Sequence, residues 1–178
     1  DEKVDYSYPI ITWASNGNIA AIVYEEKGKN VLEFYDAVSK EWRQKRYLMQ
    51  LDKILSMEYN KKGNKLILSA IIKGQSDLFL YTIASNTFQQ LTNDLYHDHY
   101  PSFANNDKGI IFSSNHKNDT LRLDVATNKN FTQDTLQGMS MRDLFYYSLD
   151  SKSWLLKRIT NTPFADETYP LSLQSNEF

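Results

Sequence analysis

Residues 77–92, which read DLFLYTIASNTFQQLT, decide the fold of this chain. Within this stretch, the leucine at position 78, the tyrosine at 81 and the phenylalanine at 88 have counterparts 46 residues earlier and again 66 residues later. The three sets are Leu32, Tyr35 and Trp42, then Leu78, Tyr81 and Phe88, then Leu144, Tyr147 and Trp154. A repeat of roughly 40 to 50 residues made of short strand-like runs is typical of a β-propeller, in which each copy is one four-stranded blade.

Apolar runs and turn residues alternate within each copy as a four-stranded blade requires. In the second copy, residues 66–72 are apolar apart from one serine and indicate a buried inner strand. Residues 77–83 indicate the third strand, and the more polar residues 87–92 indicate an outer strand at the rim. The matching inner strands of the other copies are Ile19 to Tyr24 and Ile110 to Ser114. The sequence therefore predicts an all-β propeller.

Three four-stranded blades account for most of the chain. Blade 1 is predicted at about residues 1–50, blade 2 at about 51–94 and blade 3 at about 95–162. Within residues 163–178, the pair Tyr169-Pro170 matches Tyr100-Pro101 and predicts the first strand of a fourth blade. Propellers have four to eight blades, and a ring left open after three would expose an apolar edge and an unpaired strand. We therefore expect the chain to be a fragment of a larger propeller.

Composition narrows the range of partners. The chain carries a net charge of −2 and no cysteine. A nucleic acid partner is therefore not expected, and disulfides, thiolate catalysis and cysteine-bound metals are excluded. No apolar run approaches the roughly 18 residues that a membrane span needs, so no direct membrane span is expected. The sequence predicts no cofactor.

Three segments resemble a known repeat. They are residues 91–94 (LTND), 98–103 (DHYPSF) and 109–114 (GIIFSS). This order resembles the repeat of TolB-type (WD-repeat-like) β-propellers, and it is similar to that of large TolB-like envelope proteins of Gram-negative bacteria. The resemblance implies a propeller in the periplasm or associated with the outer membrane. It carries over no catalytic residue.

The third copy contains an inserted loop at about residues 115–142, between its second and third strands. Because strands alternate in direction, this loop leaves the blade on the same face as the connections between blades. Insertions on one propeller face often form its binding side, although a loop without a partner is an alternative. The predicted partner-binding residues are Asp94, Tyr96, His97, Asp98, His99, Asn118, Asp119 and Asp124.

The histidines His97 and His99 are the residues best suited to chemistry. Two residues apart on an extended segment, their side chains project to one side and could supply two ligands to zinc or a similar metal. No third ligand is evident, so no metal site is predicted. A serine nucleophile is not predicted either, because Gly138-Met139-Ser140 lacks the second glycine of a G-x-S-x-G elbow.

Taken together, these patterns predict a non-enzymatic propeller that acts as a protein-binding scaffold in the bacterial envelope. Its partners would be envelope or outer-membrane proteins. One alternative is an accessory or substrate-gating propeller of a hydrolase, such as a peptidase, whose catalytic domain lies outside these residues. Another is a carbohydrate-active propeller that binds a metal through His97 and His99.

Overall fold

The structure is a computed structural model, and it describes residues 8–116, 120–122, 141–149, 155–162 and 165–171. These residues form three antiparallel sheets. The first contains β1 (Ile10–Trp13), β2 (Ile19–Glu26), β3 (Lys29–Asp36) and β4 (Glu41–Tyr47). The second contains β5 (Lys53–Tyr59), β6 (Lys65–Ile72), β7 (Gln75–Thr82) and β8 (Thr87–Gln90). The third contains β9 (Asp98–Ala104), β10 (Gly109–Ser114), β11 (Thr120–Arg122), β12 (Asp143–Ser148) and β13 (Leu155–Arg158).

The predicted all-β propeller architecture is confirmed. The first two sheets run in chain order, and the third has the order β11-β13-β12-β10-β9. No helix occurs in the described ranges, so none there could cross a membrane. The three inner strands β2, β6 and β10 coincide with the predicted apolar runs. The strand β6 is buried on both faces, because Leu66 and Leu68 pack with the first sheet and Ile67 packs with the third, which explains its near-continuous hydrophobicity.

Tight turns between the second and third strands repeat from blade to blade. Lys27 and Gly28 both have positive φ, at 52° and 72°, and Lys73 and Gly74 do so at 52° and 83°. Positive φ at both central residues defines the hairpin turn whose twist matches the flanking strands. The second of these turns therefore has only two central residues, and β7 begins at Gln75, two residues before the third strand predicted at 77–83.

Two hydrophobic clusters form the core. The first lies between the first and second sheets and includes Leu32, Leu66 and Tyr81. The second lies between the second and third sheets and includes Ile67 and Phe112. Each blade therefore packs on its neighbour, which places the connection between β8 and β9 at a buried junction.

The inserted segment differs from the expected loop, because it adds a strand to the third blade. Residues Thr120, Leu121 and Arg122 of β11 pair with Lys157, Leu156 and Leu155 of β13. The outer strand of a blade has a free edge of backbone donors and acceptors, and β11 satisfies part of that edge. The third sheet consequently has five strands in the described chain.

The predicted start of a fourth blade shows only part of the expected conformation. Tyr169 precedes Pro170 with a φ of 55°, as Tyr100 precedes Pro101 with a φ of 51°. The rings of the two tyrosines lie 3.8 Å apart. Residues 165–171 form no strand, and no described strand pairs with them. Ser172 and Leu173 lie outside the described residues.

Candidate protein-binding face

The candidate site lies where the second blade passes to the third. The chain leaves β8 at Gln90 and enters β9 at Asp98, and we call residues 91–97 the connection. The backbone N–H of His97 donates to Oδ1 of Asn115 at 2.7 Å, so the connection touches the first residue of the predicted insertion. The two segments therefore share one face of the propeller, as the alternation of strands predicts.

The connection is held by several contacts. The N–H of Tyr96 donates to Oδ1 of Asp94 at 2.8 Å, and Nε2 of Gln75 donates to the carbonyl of Tyr96. The ring of Tyr96 lies 4.1 Å from that of His116, which is buried. Leu95 sits between these anchored residues with 74% of its surface exposed. The fold therefore presents an apolar side chain on a fixed segment.

His97 and His99 face the same side, as their spacing predicts. Nδ1 of His97 lies 3.1 Å from Oγ of Ser76, and Nε2 of His99 lies 3.5 Å from the same oxygen. Burial, the Arg142 cation and the neighbouring His97 together lower the pKa of His99 to about 4. The His99 imidazole is therefore neutral at ordinary pH and can pack in the half-buried position it occupies.

The contact between Ser76 and His97 does not form a usable nucleophile and base. Ser76 is 2% exposed, so its hydroxyl cannot reach a substrate in this conformation. In the part of the chain that the structure describes, the histidines also belong to no group of three metal-ligating side chains.

The side chain of Asp98, which directly follows the connection, points inward. Asp98 is 2% exposed, so its side chain cannot contact a partner at the surface, contrary to its place in the predicted binding set. Its carboxylate lies with those of Asp77 and Asp94, where ligand oxygens of all three are within 4.8 Å of one another. Burial raises the pKa of Asp77 to about 7 and that of Asp94 to about 6. Burial and the charge of Asp94 also raise the pKa of Asp98.

Of the eight predicted site residues, five lie at this junction and three cannot be placed. His97 is exposed, Asp94, Tyr96 and His99 are half-buried, and Asp98 is buried. Asn118, Asp119 and Asp124 lie outside the residues whose side chains the structure describes.

Sequence reasoning missed Leu95 and Asp77. Leu95 is the one aliphatic residue in the otherwise polar and aromatic run 93–99. Asp77 opens an apolar strand, and Asp143 opens the matching strand 66 residues later. An acid repeated at the start of buried strands is the signal that could have identified it.

Known proteins were compared with this chain by sequence and by structure, and only solved structures resemble it. No known protein family matches the chain by sequence pattern, and no curated protein matches it. TolB from Acinetobacter baumannii superposes with a TM-score of 0.58 and 14% identity, over 85% of this chain and 32% of that one. Puromycin hydrolase superposes with a TM-score of 0.60 and 12% identity, over 94% of this chain and 24% of the hydrolase. The β-propeller domain of the Trilobed protease from Pyrococcus furiosus gives 0.50 and 12%, over 85% and 42%.

These likenesses, with the sheet order, define the chain as part of a β-propeller. Within that class its fold is TolB-like. The chain spans about a third of the TolB structure and about a quarter of puromycin hydrolase.

Proposed function

We propose that this chain is a non-enzymatic, TolB-like propeller module that binds a protein partner in the bacterial cell envelope. Binding occurs through the face formed by the connection, residues 91–97, and the adjoining start of the insertion. The observation that carries the proposal is Leu95, an apolar side chain 74% exposed on a segment anchored at both sides.

An anchored apolar side chain suits protein recognition for an energetic reason. Interface residues that are already ordered lose little conformational entropy on binding, so more of their contact energy appears as affinity. The neighbouring residue Tyr96 is held by its ring contact with His116, and exposed His97 places a polar side chain two residues from Leu95. An apolar centre with a polar rim is the usual anatomy of a protein interface.

The absence of a formed catalytic site in the described ranges favours binding over catalysis. Catalysis of acyl transfer needs an accessible nucleophile, a base and oxyanion donors in one place. Ser76 and His97 approach each other, but the serine is buried. The TolB-like fold supports an envelope setting, in the periplasm or at the outer membrane, with an envelope protein as the partner.

The test compares two equally exposed apolar residues on opposite faces. Leu95 is 74% exposed on the connection, and Val38 is 73% exposed on the turn between β3 and β4 at the opposite face. Leu95→Arg should reduce co-purification of the envelope partner by about tenfold or more, as expected for a central interface residue. Val38→Arg should leave it unchanged. Equal partner recovery with both variants, at unchanged thermal stability, would refute the face assignment.

A second candidate is an accessory or substrate-gating propeller of a peptidase. The likeness to puromycin hydrolase and to the propeller domain of the Trilobed protease favours it. The whole protein should then hydrolyse peptide substrates, and Leu95→Arg should change kcat/KM for long peptides more than for short ones. A protein that hydrolyses no peptide, yet loses its partner with Leu95→Arg, supports the scaffold instead.

A further inference from the structure

Three carboxylates meet at the buried junction of the second and third blades. Asp77 comes from the third strand of the second blade, Asp94 from the connection and Asp98 from the start of β9. Their ligand oxygens lie within 4.8 Å of one another. Asp77 and Asp98 are 3% and 2% exposed, so water cannot compensate their charges freely.

Two oxygens of this cluster have no hydrogen-bond donor among the described residues. They are Oδ1 of Asp77 and Oδ2 of Asp98, both in side chains that are more than nine-tenths buried. The other oxygens have neutral donors. Nε2 of Gln90 donates to Oδ2 of Asp77 at 3.0 Å, and the N–H of Tyr96 donates to Oδ1 of Asp94. The N–H of Asp94 and the hydroxyl of Thr92 also bond to Asp77, and the hydroxyls of Ser114 and Thr92 bond to Asp98. No salt bridge joins the three acids to a lysine or arginine in the described part of the chain.

The next blade shows how the same position is neutralised elsewhere. Asp143 corresponds to Asp77, and there Arg158 forms a buried ion pair with the aspartate. In the repeat, Arg158 of the third blade occupies the position of Gln90 in the second blade. Thr162 likewise occupies the position of Asp94. The two junctions share one further contact: the N–H of Leu78 donates to Oγ1 of Thr92, and the N–H of Leu144 donates to Oγ1 of Thr160.

The second junction therefore has an acid, Asp94, where the third has Thr162, and it lacks the arginine that pairs with the aspartate of the third. A bound cation would supply the charge that the Arg158 guanidinium supplies in the third blade.

We propose that Asp77, Asp94 and Asp98 bind one divalent cation of the calcium type. Two oxygens on opposite sides of a calcium ion, at about 2.4 Å each, lie about 4.8 Å apart. The ligand oxygens of the three carboxylates are all within 4.8 Å of one another, so one ion of this size can contact all three. Magnesium needs shorter distances and usually keeps several waters, whereas calcium is commonly bound by several carboxylates at once. The bound ion ties the connection to β7 and β9, and so fixes the segment that carries Leu95.

Calcium binding to the purified protein, measured by isothermal titration calorimetry after treatment with chelator, tests the proposal. One ion should bind per chain, and calcium should raise the unfolding temperature. Asp77→Asn and Asp98→Asn should abolish both effects. Gln90→Arg, which copies the third blade, should lower calcium affinity by about tenfold or more and raise the unfolding temperature of the calcium-free protein.

Asp52→Asn is the matched control, because Asp52 lies 46 residues before Asp98 in the repeat and is exposed. It should bind calcium like the wild type. No heat and no thermal shift with millimolar calcium would overturn the proposal. Unchanged binding in the Asp77→Asn and Asp98→Asn variants would place the ion elsewhere and overturn it as well. Tighter binding of magnesium than of calcium would contradict the assignment of the ion.

Discussion

In the third blade, Arg158 and Asp143 form a buried ion pair, and breaking it should strongly destabilise the fold. Arg158 and Asp143 are joined by a salt bridge with 16% and 4% of their side chains exposed. Thr162 adds a donor, since its N–H lies 2.9 Å from Oδ1 of Asp143. Removing one partner of such a pair leaves the other charge buried without compensation.

Arg158→Gln should lower the free energy of unfolding by about 3 kcal/mol or more, as measured by chemical denaturation. The control is Arg43→Gln, because Arg43 also pairs with an aspartate, Asp36, but is 52% exposed. That variant should cost below about 1 kcal/mol, since solvent screens the pair. Equal losses for the two variants would contradict the assigned roles.

A half-buried acid, Glu58, links the first strands of neighbouring blades. Its Oε1 accepts from the hydroxyl of Ser102 and from the N–H of Phe103, both at 3.0 Å. Burial nevertheless raises the pKa of Glu58, and the charge of Asp107 adds to the rise. The folded state therefore retains the Glu58 proton at pH values where the unfolded chain has lost it.

The sign of the pH effect follows from this raised pKa. Stability contributed by Glu58 is greatest below its ordinary pKa, and it is lost as pH rises through the folded-state pKa. The unfolding free energy of the wild type, relative to Glu58→Gln, should therefore fall as pH increases from about 4 to 7. Denaturant titrations of both proteins across this interval measure the difference. A difference that grows with pH would show that the hydrogen bonds outweigh burial.

At the scale of elements, β11 is a rim strand that closes part of a sheet edge. It pairs only with β13, the outermost regular strand of the third blade. The inner strands of that blade pair with one another without it, through β10 and its neighbours β9 and β12. The insertion should therefore matter more for edge protection than for folding.

Deleting residues 117–140 and joining the ends with a short turn should leave the propeller folded. Loop length changes stability slowly, by about 0.6 kcal/mol per doubling. The free edge of β13 should instead promote self-association, visible by size-exclusion chromatography. A shorter deletion of residues 123–140 keeps β11 and should remain as monodisperse as the wild type. A fall of many degrees in unfolding temperature would show that the segment belongs to the core.

The strands could be predicted because their signals are local. Apolar runs such as residues 66–72 and turns such as Lys73-Gly74 are contained in a few neighbouring residues. The ends of strands are harder to predict than their centres. Gly109 lies just before the predicted strand Ile110 to Ser114, but it is the first residue of β10. The ring of Tyr146 covers it, so that an added Cβ would lie 2.2 Å from ring atoms. Such a contact between strands cannot be read from either residue alone.

The candidate site could be predicted only in part, for the same physical reason. The spacing of His97 and His99 fixes their common side, which is a property of one extended segment. The inward turn of Asp98 and its approach to Asp77 depend on how one blade packs on the next. The exposure of Leu95 likewise depends on contacts from Gln75 and His116, which come from other strands or loops.

At the scale of the whole molecule, the two faces of the propeller differ in character. One face carries the anchored connection with Leu95 and the start of the insertion, beginning at Asn115. The opposite face carries the short turns between third and fourth strands, such as that of Val38. A rigid ring with one elaborated face is suited to holding a partner on that side, since the scaffold fixes the loops that make contact.

Photo-crosslinking from position 95 tests this account most directly. A photoreactive residue replaces Leu95 in one protein and Val38 in another, both in the native envelope, and crosslinked products are identified by mass spectrometry. The account predicts that position 95 crosslinks to one envelope protein, with the same stoichiometry in independent preparations. Position 38 should give no crosslinked protein. The same products from both positions, or none from position 95 while the partner still co-purifies, would contradict it.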